Sequence, residues 1–134
     1  MKYFVIVNPV SGRGLGAKLI PLIEKTLTEF GLDFQLSITK QRWHAAELAE
    51  LAAKQEYDVV VCAGGDGTAN EAINGLMIAR AQGFKKTAFG LLSVGTGNDL
   101  AASLKLPVDL REAIQILKTG TRHWIDIGIA KGEA

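Results

Sequence analysis

The sequence predicts an α/β fold, a three-layer, open and mostly parallel sheet sandwiched by helices. The first observation is an alternation along the chain between short apolar β-rich runs and longer segments with helical apolar periodicity. The second is that two of the runs are almost entirely apolar, which is typical of strands covered on both faces by helices. The third is size, because 134 residues with 48% hydrophobic side chains suit one domain with its own core.

Four apolar runs are the candidate strands. Residues 3–7 and 58–63 are the nearly unbroken runs, so we expect them at the centre of the sheet. In the run that begins at residue 34, apolar and polar residues alternate, which indicates a strand with one wetter face, nearer an edge. Residues 88–94 supply the fourth strand.

Four segments between and after these strands carry an apolar stripe at helical spacing. Pro21 lies in the first of them, and since proline is disfavoured deep inside a helix, we expect this helix to start near Ala17. In such sheets, ligands bind outside the carboxyl ends of the strands. The stripes consist of Ile20, Ile23, Leu27 and Phe30; Ala45, Leu48 and Ala52; Ala69, Ile73, Leu76 and Met77; and Leu110, Ala113, Ile114 and Leu117.

Composition and charge exclude several classes of protein. The formal net charge of +1 argues against a strongly basic nucleic-acid surface, so no nucleic-acid partner is expected. The lone Cys62 cannot form a disulfide within the chain, which favours a reducing cytoplasmic setting. No apolar stretch approaches the roughly 20 residues needed to cross a bilayer, and the N-terminal run is too short for a signal peptide. Any membrane contact is therefore expected to be peripheral, at the inner membrane face.

Glycine is over-represented, and its positions indicate a binding site. Eight of the 15 glycines lie in three clusters that each follow a predicted strand: Gly12, Gly14 and Gly16; Gly64, Gly65 and Gly67; Gly95 and Gly97. The clusters converge on one edge of the sheet, where open backbone N–H groups and helix N-termini favour a phosphate-bearing ligand. Each cluster taken alone is also compatible with an ordinary strand-to-helix turn.

The first glycine cluster matches one of the two standard phosphate-binding sequence patterns and lacks the other. The P-loop pattern is absent, because Ala17 and Leu19 stand where it needs glycine and a hydroxyl residue. The dinucleotide pattern Gly-x-Gly-x-x-Gly/Ala is met by Gly12, Gly14 and Ala17. Its acidic ribose-binding partner is missing, since Thr39 and a lysine stand at the end of the second predicted strand. A dinucleotide-binding protein therefore stays as an alternative.

Four motifs carry a family resemblance. Residues 64–68, Gly-Gly-Asp-Gly-Thr, resemble the signature shared by diacylglycerol kinases, sphingosine and ceramide kinases, and NAD kinases. Residues 8–12 (Asn-Pro-Val-Ser-Gly), 70–75 (Asn-Glu-Ala-Ile-Asn-Gly) and 95–101 (Gly-Thr-Gly-Asn-Asp-Leu-Ala) resemble the diacylglycerol kinase catalytic family, and NAD kinases lack the last of these. The resemblance extends from residue 3 to about 128 and implies a bacterial-type lipid kinase with the NAD kinase and diacylglycerol kinase-like fold.

The resemblance implies a transferase of lipid metabolism and phospholipid biosynthesis that binds ATP and Mg²⁺. Such an enzyme passes the γ-phosphoryl group to the hydroxyl of diacylglycerol or a similar lipid. Asp66 is the implied catalytic residue, either in a magnesium network or as a proton acceptor, although a carboxylate there also suits a turn. The implied nucleotide contacts are Asn8, Pro9, Ser11, Gly12, Thr39, Gly64, Gly65, Gly67, Thr68, Asn70, Glu71, Gly95, Thr96 and Gly97.

Several of these side chains also have structural interpretations. Thr68 and Glu71 have the spacing of a capping box, which would direct the Thr68 hydroxyl to a backbone N–H instead of a phosphate. Arg13 either steers phosphates or is simply solvated. Trp43, His44 and Cys62 are interpreted as structural, because the histidine has no partner spaced for a metal and the cysteine lies inside an apolar strand. Asn98 and Asp99 have the residue types of a helix cap.

The family pattern also implies a division of the chain. Residues 1–122 are expected to form the nucleotide-binding α/β domain, and residues 123–134 a final alternating strand that leads toward a β-rich second domain absent from this chain. A lipid substrate at a membrane surface would be met through that second domain. The chain is then the ATP-binding lobe of a lipid kinase and is expected to be inactive alone. The alternatives are a non-catalytic nucleotide-binding module, or an NAD kinase-like or dinucleotide-binding protein.

Overall fold

A computed structural model describes residues 1–94, 102–103, 105–107 and 109–120. In these residues, strands and helices alternate in the order β1 (Lys2–Val7), α1 (Ser11–Glu29), β2 (Asp33–Ile38), α2 (His44–Lys54), β3 (Val59–Gly64), α3 (Asp66–Ala81), β4 (Ala88–Ser93) and α4 (Leu110–Thr119). The four predicted strands and four predicted helices are confirmed. The expected final segment at 123–134, the boundary at 122 and the Asn98–Asp99 cap lie outside the described residues.

The four strands form one parallel sheet in the order β2-β1-β3-β4. The two nearly unbroken apolar runs, β1 and β3, are the central strands, as predicted, and the alternating β2 is an edge strand. The chain moves to one side of β1 to form β2 and to the other side to form β3 and β4. The junction between β1 and β3 is therefore the topological switch point, where open α/β sheets bind ligands beyond the carboxyl ends of their strands.

The central strands bury both faces, which gives the predicted three layers. Tyr3, Val5 and Val7 of β1 pack on the side of α1 and α4, around the buried Ile23 and Ile114. The intervening β1 residues pack on the opposite side, against α2 and α3. Burial of each such aliphatic side chain contributes about 1.5–3 kcal/mol to the stability of the fold. The core on both faces therefore keeps the strand ends at the carboxyl edge in fixed positions.

The contact between α2 and α3 is made of small residues. A Cβ atom added at Gly75 would lie 2.1 Å from the carbonyl oxygen of Ala46, so the two helix backbones nearly touch. The buried residues of α3 are Thr68, Ala69, Ala72, Gly75 and Ala79. Ile73 and Met77 were predicted to belong to the apolar stripe of this helix, but both are only half-buried, so the prediction is wrong at these two positions. Helices this close have no room for large side chains between them.

Helix α1 begins with a left-handed turn. Gly12, Arg13 and Gly14 have φ values of 62°, 60° and 91°, so the regular helix starts at Leu15, two residues before the predicted start near Ala17. Pro21 consequently lies inside the regular helix, in its second turn, where its ring is exposed to solvent. Within the described residues, no helix is both long enough and apolar enough to span a membrane.

Candidate functional site

A cleft of about 300 Å³ opens at the carboxyl edge of the sheet, at the switch point between β1 and β3. It is lined by Asn8, Ser11, Gly12, Gly65, Gly67, Thr68, Glu71 and Val94. The first seven of these are predicted site residues. Val94 was not predicted; it follows β4 and lies next to β3, since its N–H donates to the carbonyl oxygen of Gly64 at 3.0 Å. Only the strand order could have placed it in the cleft.

Asn8 joins the end of β1 to the first turn of α3. Its Oδ1 accepts a hydrogen bond from the N–H of Val10 at 3.1 Å, and its Nδ2 donates to Thr68 Oγ1 at 2.8 Å. The backbone N–H of Asn8 also donates to the carbonyl oxygen of Ala63 on β3. Because Thr68 Oγ1 accepts from Asn8, the hydroxyl proton of Thr68 is left to donate to an anion in the cleft.

The capping-box prediction for Thr68 and Glu71 is wrong. Helix α3 begins at Asp66 with Gly65 as its N-cap, and no side chain caps it. Thr68 is therefore the third helical residue and its hydroxyl is bonded to Asn8, while Glu71 lines the cleft one turn further on. Both residues thus line the cleft, and neither side chain caps α3.

The first turn of α3 presents backbone donors to the cleft. The first N–H groups of a helix have no carbonyl partner inside it, and the helix dipole adds a partial positive charge at this end. Gly67 lines the cleft, and a Cβ atom added there would meet no protein atom within 4 Å, so the space beside its backbone is open. This end of α3 is accordingly suited to an anion such as a phosphate group.

Two other glycines near the cleft have packing roles. A Cβ atom at Gly64 would lie 2.9 Å from Thr68 Cβ and 3.2 Å from Ser11 Oγ. A Cβ atom at Gly16 would lie 2.1 Å from the carbonyl oxygen of Asn8. The glycine clusters therefore combine two functions: some members let α1 and α3 approach the strand ends closely, and others leave space for a ligand.

The turn after β1 forms the second wall of the cleft. Ser11 donates its N–H to the carbonyl oxygen of Asn8 at 3.2 Å, and Gly14 donates to Val10 at 3.2 Å. Within this turn, the backbone changes from the right-handed conformation at Ser11 to the left-handed conformation at Gly12. Such a change in hand is the geometry of an anion-binding nest, in which successive N–H groups converge.

The remaining predicted residues that the structure describes are not among the residues that line the cleft. Asp66 opens α3 beside it, where a carboxylate interacts favourably with the helix dipole. Thr39 continues β2 and donates its N–H to the carbonyl oxygen of Val7 at 2.9 Å, which places it next to the end of β1. Asn70 is exposed on α3, and the Pro9 carbonyl oxygen accepts from Ala17 N–H. Gly95, Thr96 and Gly97 lie outside the described residues.

The donor set fits magnesium bound together with phosphates. Over the described part of the chain there is no group of three or more His, Cys, Asp or Glu residues that could hold a metal ion by itself. Mg²⁺ commonly binds through one or two carboxylates and the phosphate oxygens of a substrate, and keeps several waters. Hard oxygen atoms of this kind are carried by Asp66, at the start of α3, and by Glu71, in the cleft lining.

Cys62 and His44 have structural surroundings, as the sequence suggested. Complete burial of the Cys62 thiol raises its pKa to about 12, with a smaller contribution from the negative charge of Glu71. The thiol is therefore neutral and unreactive. His44 Nδ1 accepts a hydrogen bond from the N–H of Lys40 at 2.9 Å, which closes the β2–α2 loop. Trp43, in contrast, is 51% exposed and does not belong to the core.

The chain resembles known proteins in both sequence and structure. A family model described as the diacylglycerol kinase catalytic domain matches residues 2–130. The chain is 35% identical over 124 residues to a diacylglycerol kinase of Staphylococcus saprophyticus, covering 92% of this chain and 39% of the relative. It is 34% identical over 130 residues to a diacylglycerol kinase of Bacillus subtilis, covering 96% and 42%.

A solved structure agrees with these sequence relatives. The crystal structure of a diacylglycerol kinase from Bacillus anthracis matches with a TM-score of 0.75 at 27% identity, covering 90% of this chain and 40% of that chain. The chain therefore spans about two fifths of the length of the relatives it matches.

Proposed function

Because the chain belongs to the diacylglycerol kinase catalytic domain family, we propose that it is the ATP-binding lobe of a lipid kinase. The complete enzyme would transfer the γ-phosphoryl group of ATP to the hydroxyl of diacylglycerol or a similar lipid. One observation supports the nucleotide role above the others: Asn8, Ser11, Gly67 and Thr68, from two separate motifs, line one cleft at the switch point of the sheet. The lining has the backbone and hydroxyl donors that a phosphate chain requires.

In this proposal each wall of the cleft binds part of the nucleotide. The N–H groups at the start of α3 and the hydroxyl of Thr68 bind phosphate oxygens, and the Ser11–Gly12 turn closes over them from the side of β1. Phosphoryl transfer needs positioning and charge stabilisation more than covalent chemistry. The hydrogen-bond donors held by Asn8 and by the two helix starts would supply both to the phosphate groups.

Asp66 and Glu71 give the cleft its only carboxylates among the described residues that line or adjoin it. A carboxylate next to phosphates is repelled unless a cation or a proton lies between them. Asp66 is therefore proposed to hold the magnesium network or to accept the proton of the acceptor hydroxyl, with Glu71 as the second oxygen ligand. Magnesium, when bound, would neutralise the charge that develops on the phosphate oxygens.

Catalysis is proposed to need residues beyond those of this chain. The matched relatives are more than twice as long as the aligned region. We place the lipid-binding surface, any contact with a membrane and the remaining catalytic groups in the part of the family protein that does not align here. This chain alone would bind ATP with magnesium and transfer no phosphate.

Calorimetry and a transfer assay test the proposal. Titration with ATP and Mg²⁺ is expected to show one binding site, and titration with NAD none, since β2 is followed by Thr39 and Lys40 where a dinucleotide site needs a carboxylate. Labelled ATP with diacylglycerol micelles should give no phosphatidic acid from this chain. It should give product from a chimera in which this chain replaces the matched region of the Bacillus subtilis relative. Absence of ATP binding would refute the proposal, and an ATP-binding but inactive chimera would favour a non-catalytic module.

A further inference from the structure

Trp43 occupies a backbone conformation that bulky residues rarely adopt. It is the N-cap of α2, with φ 67° and ψ −1° in the left-handed region, and its side chain makes no capping hydrogen bond. L residues with large side chains are rare there, and glycine or asparagine is the usual choice. The indole is also 51% exposed, so burial in the core does not offset the strain. Residues held in such conformations concentrate at functional sites.

The loop that carries Trp43 is firmly held. The carbonyl oxygen of Trp43 accepts from the N–H groups of Ala46 at 3.1 Å and Glu47 at 3.2 Å, which form the first turn of α2. Nδ1 of the neighbouring His44 accepts from the N–H of Lys40 at 2.9 Å. The indole is therefore presented to solvent by a fixed backbone.

The position of α2 brings Trp43 to the same edge of the sheet as the cleft. Helices α2 and α3 both follow parallel strands and start at the carboxyl edge, and their backbones meet where Gly75 faces Ala46. Glu71 lies one helical turn before Gly75, and Trp43 lies about one turn before Ala46, so both residues lie on the carboxyl-edge side of this contact. Glu71 lines the cleft, and Trp43 lies at the start of the neighbouring helix at the same edge of the sheet.

We propose that the indole of Trp43 stacks against the purine base of the nucleotide whose phosphates occupy the cleft. This inference rests on the proposed function and deepens it. With the phosphates at the start of α3, the base would extend beyond the cleft along the carboxyl edge, where an exposed aromatic ring offers a stacking surface. Among the described residues, the other large exposed aromatic side chain is Phe84, which follows the C-terminal end of α3 at the opposite edge of the sheet.

Calorimetry with two probes separates base recognition from phosphate binding. ATP with Mg²⁺ carries the base, and inorganic tripolyphosphate with Mg²⁺ does not. For Trp43→Ala in the full chain, ATP affinity should fall between about fivefold and about a hundredfold, the range of a lost base–aromatic stack. Tripolyphosphate affinity should stay within about twofold of wild type. Trp43→Phe should keep most of the ATP affinity, because a phenyl ring still stacks.

Two variants exclude a merely structural effect. Trp43→Gly relieves the left-handed conformation, so its Tm should rise while its ATP affinity falls as in Trp43→Ala. Leu51→Ala is the matched control, since Leu51 lies on the same helix and is also 51% exposed, but toward the far end. It should leave the affinity for both probes unchanged.

The outcomes are distinct. Unchanged ATP affinity in Trp43→Ala, or an equal loss for ATP and tripolyphosphate, would overturn the stacking role while leaving ATP binding, and so the proposed function, intact. Loss of binding to anionic lipid vesicles with unchanged ATP affinity would assign the ring to a lipid surface and overturn it as well. If wild type bound neither ATP nor tripolyphosphate, both proposals would fail.

Discussion

The side-chain amide of Asn8 donates to the hydroxyl oxygen of Thr68, which is only 6% exposed, across 60 positions of sequence, with 2.8 Å between Nδ2 and Oγ1. This bond holds the end of β1 against the first turn of α3 and so fixes the two walls of the cleft relative to each other. Its removal should affect both the stability of the lobe and the geometry that a phosphate chain meets.

Asn8→Ala is expected to lower the free energy of unfolding by about 1–3 kcal/mol, because it leaves the buried Thr68 hydroxyl without this partner. Urea unfolding measures this change, and calorimetry should show weaker ATP binding in the same variant. Asn74→Ala is the control, since Asn74 is exposed on α3 and bonds only to the Asn70 carbonyl oxygen among the contacts described. It should change stability by less than about 0.5 kcal/mol. An unaltered urea midpoint for Asn8→Ala would contradict the linking role.

Asp66→Ala should abolish turnover while the lobe stays folded. The helix dipole contributes about 0.3–1 kcal/mol to the cost of losing a carboxylate from the first turn of α3, which is small beside the stability of a folded domain. The assay is phosphatidic acid formation by the chimera with the Bacillus subtilis relative, and Tm of the isolated chain reports the fold. Asp66→Asn keeps the size of the side chain and removes its charge, so it should be equally inactive. Near-normal activity in either variant would refute the assigned role.

Gly67→Ala and Gly16→Ala are expected to have opposite profiles. An added Cβ at Gly67 meets no protein atom within 4 Å, and alanine favours a helix over glycine by up to about 1 kcal/mol, so stability should hold or rise. ATP affinity should nevertheless fall about tenfold, equal to about 1.4 kcal/mol, because the methyl group enters the space of the ligand. Gly16→Ala would place a Cβ 2.1 Å from the Asn8 carbonyl oxygen and should cost about 1–3 kcal/mol of stability. Thermal unfolding measures the stability of both variants, and calorimetry measures their ATP affinity. A Gly67→Ala protein that binds ATP normally would contradict the prediction that the ligand occupies the space beside Gly67.

The sequence predicted the sheet well because its central strands depend on local pattern. Residues 3–7 and 58–63 are apolar at every or nearly every position, and only a strand covered on both faces needs that. The position of the site at the carboxyl edge could be predicted from the same strands, because all strands of a parallel sheet end at that edge. Seven lining residues of the cleft could therefore be named from motifs that follow strands.

Two failures of prediction depend on contacts distant in sequence. The hydroxyl of Thr68 bonds to Asn8 and not within its own helix turn, which the local capping pattern could not reveal. Ile73 was expected in the core of α3, but the approach of Gly75 to Ala46 leaves that interface to small residues. The left-handed conformation of Trp43 was not predictable either, because residue preference opposes it.

Alkaline pH should destabilise the fold through Cys62. The ordinary pKa of a free thiol is 9.0, and burial raises that of Cys62 to about 12. Below pH 9 the thiol is protonated in both the folded and the unfolded chain, so its contribution to stability is fully present. Above pH 9 the unfolded chain releases the proton and the folded chain keeps it. The free energy of unfolding should then fall by about 1.4 kcal/mol per pH unit from this group until pH 12.

Urea unfolding of wild type and Cys62→Ala between pH 8 and about pH 10.5 isolates that contribution, because tyrosine and lysine titrations are common to both proteins. Cys62→Ala should be less stable than wild type at pH 8, owing to the lost buried sulfur, and this difference should shrink as pH rises. Wild-type Cys62 should also react with a thiol reagent only as fast as the lobe opens, so the labelling rate should increase with urea. A constant difference across the pH range, together with rapid labelling without denaturant, would show that the thiol is accessible and ionises in the folded lobe.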